Sequence, residues 1–191
     1  MLCGVDGFGN GDYTAVGIQA IADALRVNTS LKSLDLSSNK IGQVGGEALA
    51  KALIVIVRGS KGLCFGTSLT DLNLGYNSIG PEGGVALADA LCINASLKSL
   101  DLDNNSLGPG GGVALADALR VNTSLTDLNL RSNLIGPEGG VALADALRVN
   151  DSLTEVRSSF PATFGTHSIP ACTVCTAVKP LWKRAVWHPI W

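Results

Sequence analysis

Cys172 and Cys175, two residues apart, with His188 after them and His167 before, offer the ligand types and half of the spacing of a zinc site. The second histidine that would complete the usual finger spacing is missing, so no metal is expected. Both histidines lie beyond Arg157, and a Ser-His-Asp or Cys-His set would need that segment to dock against a chosen nucleophile elsewhere. No catalytic residue is therefore expected, and the chain reads as a non-enzyme. The glycines around Pro81 and Pro137 recur periodically and lack the lysine of a phosphate-binding loop, so no cofactor is expected either. Lys179, Lys183 and Arg184 among Trp182 and Trp187 suit a membrane surface, but Pro180 and Pro189 interrupt any long helix there, and no membrane contact is expected. The remaining chemistry is that of recognition: Tyr76 and Arg131, residue types favoured at interface centres, and the aspartates Asp71, Asp101, Asp103 and Asp127.

Composition narrows the class. The 191 residues are 46% hydrophobic and 16% charged, which suits a folded chain rather than a disordered one. The longest apolar run, Ala52 to Val57, is far short of the roughly 20 residues of a spanning helix. A net charge of -2 provides no basic field, so nucleic acid is disfavoured and a protein partner is expected. Met1 to Tyr13 has neither the basic nor the apolar region of a secretory signal, and five scattered cysteines are no disulfide framework, so a cytoplasmic location is expected. Asn-x-Ser/Thr triplets begin at Asn28, Asn94, Asn104, Asn122 and Asn150; four of these share one place in a repeat and read as turn positions.

Self-similarity organises the chain. Ser68, Ser96, Ser124 and Ser152 stand 28 residues apart and open the same phrase; Ser30 opens another copy, whose successor follows after 38 residues because of an insertion at 54–66. Each copy carries Leu-x-x-Leu-x-Leu-x-x-Asn-x-(Ile/Leu), for example Leu97, Leu100, Leu102, Asn105 and Leu107. Before Ser30 only the second half of a unit is present, so the array is expected to begin in mid-repeat. The expected organisation is an irregular 1–16, a repeat domain over 17–157, and an irregular tail or improvised cap over 158–191.

Leu-x-Leu alternation predicts a short strand buried on one face. A helical return path forces successive strands to lie parallel. Pro81, Pro109 and Pro137 mark helix starts, Glu82 and Glu138 suit the positive helix end, and Gly84, Leu87, Ala88 and Leu91 form one apolar stripe. Asn28, Asn122 and Asn150 are expected to end helices in the left-handed conformation. The column Asn39, Asn77, Asn105, Asn133 is expected to satisfy backbone groups at the bend after each strand.

In these motifs the sequence resembles the leucine-rich repeat family, over roughly Gly17 to Arg157, and its 28-residue unit resembles the ribonuclease-inhibitor-like class. The resemblance implies an α/β right-handed solenoid with a parallel sheet on the concave face and helices on the convex face. It implies a non-catalytic module that binds a protein through the concave face, similar to NOD-like receptor repeat domains. The alternatives are a GTPase-activating protein of the Ran regulator type and a fragment of a longer array. Along that face Tyr76, Asp103 and Arg131 break the repetition and are the expected binding residues, with Asp71, Asp101 and Asp127 beside them.

Overall fold

In the computed structural model, residues 15–54 and 68–159 are described; the insertion beyond Ile54, the cysteine and histidine tail and residues 1–14 lie outside them. Five helices alternate with five strands in this range: α1 (Val16–Val27), β1 (Ser33–Asp35), α2 (Gly42–Leu53), β2 (Asp71–Asn73), α3 (Gly80–Ile93), β3 (Ser99–Asp101), α4 (Gly108–Val121), β4 (Asp127–Leu130), α5 (Gly136–Val149) and β5 (Glu155–Ser158). The strands form one parallel sheet in the order β1-β2-β3-β4-β5, and each helix packs on the next. This is the α/β solenoid of leucine-rich repeats. The insertion leaves the register intact, since Ser33 pairs with Asp71 as Asp71 pairs with Ser99.

The core lies between sheet and helices. Leu69, Leu72 and Leu74 of the β2 unit are at most 2% exposed, and they meet Leu87, Ala88 and Leu91 from α3. The helices approach closely because small residues line their contact: a Cβ on Gly112 would stand 3.3 Å from the Gly139 Cα and collide with the Ile135 side chain. Leu31, expected in the core, is 37% exposed; β1 is the first strand of the described sheet, and among the described residues no earlier strand covers that leucine. At the other end Ser158 occupies the leucine place, pairs with Leu130 and is buried.

Two asparagine ladders stitch the units. At the bend, Asn105 Nδ2 donates to Leu74 O (2.8 Å) in the preceding unit and to Leu102 O (3.0 Å) and Asp103 O (3.1 Å) in its own. Its Oδ1 accepts the Asn77 and Ile79 N–H groups at 3.1 and 3.3 Å. Asn77 and Asn133 repeat the pattern, and Asn39 donates to Leu36 O and Ser37 O. The second ladder is at the helix ends. Asn28, Asn122 and Asn150 are not left-handed as expected; they are extended, with ψ of 122, 125 and 125°. The cause is the bonding of the side chain. In the extended conformation Asn122 Oδ1 accepts Ser124 N–H (3.0 Å) and Leu125 N–H (2.8 Å) while Nδ2 donates to Leu91 O and Asn94 O. Left-handed residues gather instead at the bend, at Ser38, Tyr76, Asn104 and Ser132 and, two residues later, at Lys40, Ser78, Ser106 and Leu134.

Candidate protein-binding face

The first four strands lead into the same side-chain-closed turn. Asp35, Asn73, Asp101 and Asn129 occupy one column of the sheet, and each accepts through Oδ1 the N–H two residues on, at 2.8, 3.0, 2.8 and 3.2 Å. Asp and Asn do this because the short side chain mimics a backbone carbonyl. At Asp35 the Ser37 N–H, aided by the Ser37 hydroxyl, holds the carboxyl below its ordinary value. Sequence reasoning misses this structural column, although its unbroken Asp/Asn alternation shortly before each bend is an available signal.

The structure brings Tyr76, Asp103 and Arg131 onto adjoining rungs. Tyr76 N donates to Asp103 O (2.8 Å), and Asn104 N donates to Arg131 O (3.0 Å), so the three residues follow one another across the sheet at the usual strand spacing of about 4.8 Å. Tyr76 is 57% exposed with φ of 60°. Asp103 and Arg131 are half-buried. None of these three side chains has a hydrogen-bond or ion-pair partner among the described residues, and Asp103 Oδ1 is shut away from solvent without one.

The other three aspartates are engaged. Asp101 Oδ2 accepts from Asn129 Nδ2 (2.9 Å), and Asp71 Oδ2 from Thr70 Oγ1 (2.6 Å). Asp127 Oδ1 lies 2.6 Å from Arg157 Nη2, with both side chains about 30% exposed. Burial works against the Arg157 charge; the hydrogen bond and charge of Asp127, helped by Glu155, outweigh it and hold the guanidinium above its ordinary value. Arg157 Nε also sits 3.5 Å from Glu155 Oε1, an ion pair without hydrogen-bond geometry.

Elsewhere, no group of three or more metal-ligating side chains converges among the described residues. Cys92 is exposed, and desolvation of the thiol and the nearby Asp89 charge raise its pKa above the ordinary thiol value. No helix among the described residues is long and apolar enough to cross a membrane.

A family model described as "Leucine Rich repeat" matches the chain at residues 27–50, 67–88, 94–116 and 121–144, in step with the four strand-bend-helix units. The chain is a leucine-rich repeat protein. Its solenoid is similar to the solved structure titled leiomodin-1 actin-binding site 2, with a TM-score of 0.63 and 21% identity over 73% of this chain and 77% of that one. It is also similar to the tropomodulin C-terminal domain of Caenorhabditis elegans, with a TM-score of 0.61 and 17% identity over 78% of this chain and 84% of that one. At these identities both are likenesses of the leucine-rich repeat fold alone. No curated protein matches the sequence significantly.

Proposed function

We propose that this leucine-rich repeat protein is a non-catalytic binding module that holds a cytoplasmic protein partner on its sheet face, centred on Tyr76, Asp103 and Arg131. One observation carries the reading: Tyr76 and Arg131, two side chains of interface type, stand with Asp103 on adjoining rungs, and none of the three has a partner of its own among the described residues. A solenoid offers such a face as an extended surface. The fold neighbour whose title names an actin-binding site supports protein binding as the use of this architecture, and the partner here is left to experiment. The 28-residue unit supports placing the array with the ribonuclease-inhibitor-like class, with NOD-like receptor repeat domains as the functional analogue.

The test is an affinity capture with the full chain beside a Tyr76→Ala/Arg131→Ala double variant that melts at the same temperature. A protein retained by the first and lost by the second is the expected result. Equal retention of every captured protein by both refutes the reading.

A further inference from the structure

The two ends of the described solenoid are unlike each other and complementary. It opens with a helix, α1, that has no strand before it, and closes with a strand, β5, that has no helix after it among the described residues. Inside the array every unit offers the same groups to its neighbour, and each end leaves one half of that set unused. At the sheet, the Thr70, Lys98, Thr126 and Thr154 N–H groups donate to the preceding strand at 2.7 to 2.9 Å. The Lys32 N–H, their equivalent beside β1, has no acceptor among the described residues, and Thr154 O, the equivalent acceptor beside β5, receives no described N–H. At the helix ends, Asn94, Asn122 and Asn150 donate through Nδ2 to Leu53 O, Leu91 O and Leu119 O at 3.1, 2.7 and 2.6 Å. Asn28 closes its own turn through Oδ1, yet its Nδ2 finds no acceptor among the described residues, and no described asparagine reaches Leu147 O. A sheet edge with unpaired backbone groups is a template for another chain.

Burial follows the same rule. Gly83 meets Gln43 of the preceding helix, and Gly84 meets Gly111 of the following one. Seven residues on from the first of these glycine places, on the same helix face, Ala52, Ala90, Ala118 and Ala146 are at most 1% exposed, whereas Ala24 of α1 is exposed. Four residues on from the second, Ala22, Ala50, Ala88 and Ala116 are at most 2% exposed, whereas Ala144 of α5 is exposed. Charge agrees with the fit. Repeating the strand step of β4 and β5 once more sets Val156 beside the half-buried Leu34 and Arg157 beside Asp35, an opposite-charge pair across the joint.

We propose that copies of this chain join head to tail, β5 and α5 of one against β1 and α1 of the next, so that a strand from one copy and a helix from the other complete a unit across the joint. The occupant of each end is the opposite end of a second copy, because every internal joint already mates these two surfaces in this register. The association goes beyond the binding role of Tyr76, Asp103 and Arg131 and does not depend on it. A contact between two different surfaces does not close within a pair, so growth continues past the dimer.

The test is sedimentation velocity on the full chain from micromolar to near-millimolar concentration, beside Ala24→Arg, which spoils the first end, and Ala144→Arg, which spoils the last. Both positions are exposed in a single copy, so the melting temperatures of the variants should match the parent. The mean mass of the parent should rise with concentration past two copies, while each variant alone should reach no more than a small fraction of that association. An equal mixture of the two variants should sediment as a particle of two chains, since one keeps a sound last end and the other a sound first end. A parent that stays at one copy throughout overturns the inference; it is the result expected if residues of the same chain occupy the ends. Variants that associate as the parent does overturn it too, as does a mixture that sediments no faster than its components.

Discussion

The bend after each strand and the sheet face beside it are one residue apart in sequence and follow opposite rules. Asn77, Asn105 and Asn133 are identical because each reaches carbonyls in two units and accepts two N–H groups from the preceding one, a set of bonds no other side chain satisfies. The residues just before them, Ser38, Tyr76, Asn104 and Ser132, share the same left-handed backbone yet range from a small hydroxyl to an aromatic ring. A left-handed position favours Gly or Asn and penalises bulk. Tyrosine at 76 therefore works against the fold, which fits the contact with a partner proposed for it. Where units must interlock, the repeat is uniform; where they face outward, it varies.

The largest effect that would break this contrast is at the bend. Asn105→Leu removes three donated and two accepted bonds in a buried place and should cost about 3 kcal/mol, the upper end for groups left unpaired. For a chain of this size that is a fall of about 6 to 12 °C in melting temperature, read by calorimetry. An unchanged midpoint would remove the bend from its interlocking role. Asn122→Ala, in the helix-end ladder, should cost about 2 kcal/mol, because Leu91 O and the Leu125 N–H lose their partner. Equal denaturant midpoints for this variant and the parent would show that the second ladder is ornamental.

Smaller effects sharpen the other side of the comparison. Arg157→Ala breaks the ion pair to Asp127 between partly exposed side chains, so it should cost less than about 1 kcal/mol and less still at high salt. Tyr76→Gly should leave stability within about 1 kcal/mol of the parent or raise it, because glycine accepts the left-handed backbone. The same substitution should weaken the partner captured by the full chain. A large destabilisation would make Tyr76 a structural residue and close the distinction drawn here.

The architecture was legible because its physics is periodic. Leu97, Leu100 and Leu102 declare a half-buried strand, and Pro109 with the small-residue stripe declares the returning helix, so local signals at each level agree. The Asn77 column was legible for the same reason, since an amide recurring at every bend has few other uses. The helix-end asparagines were misread: asparagine tolerates both a left-handed cap and an extended, side-chain-closed turn, and only the neighbouring unit's carbonyls, such as Leu91 O, select the second. Asp101 and Asp127 looked like free surface acids in sequence, but Asn129 and Arg157, 28 and 30 residues away from them, occupy their oxygens. Tyr76, Asp103 and Arg131 stood out by breaking the pattern, whereas their contiguity needed the register of three strands.

The most direct test of the account is backbone hydrogen exchange on the full chain with and without a captured partner. Slowed exchange confined to the segments at 70–76, 98–104 and 126–132, with the outer helices α2 to α5 unchanged, is the predicted result. Protection along those helices, with the sheet-face bends exchanging as in the free chain, would contradict it.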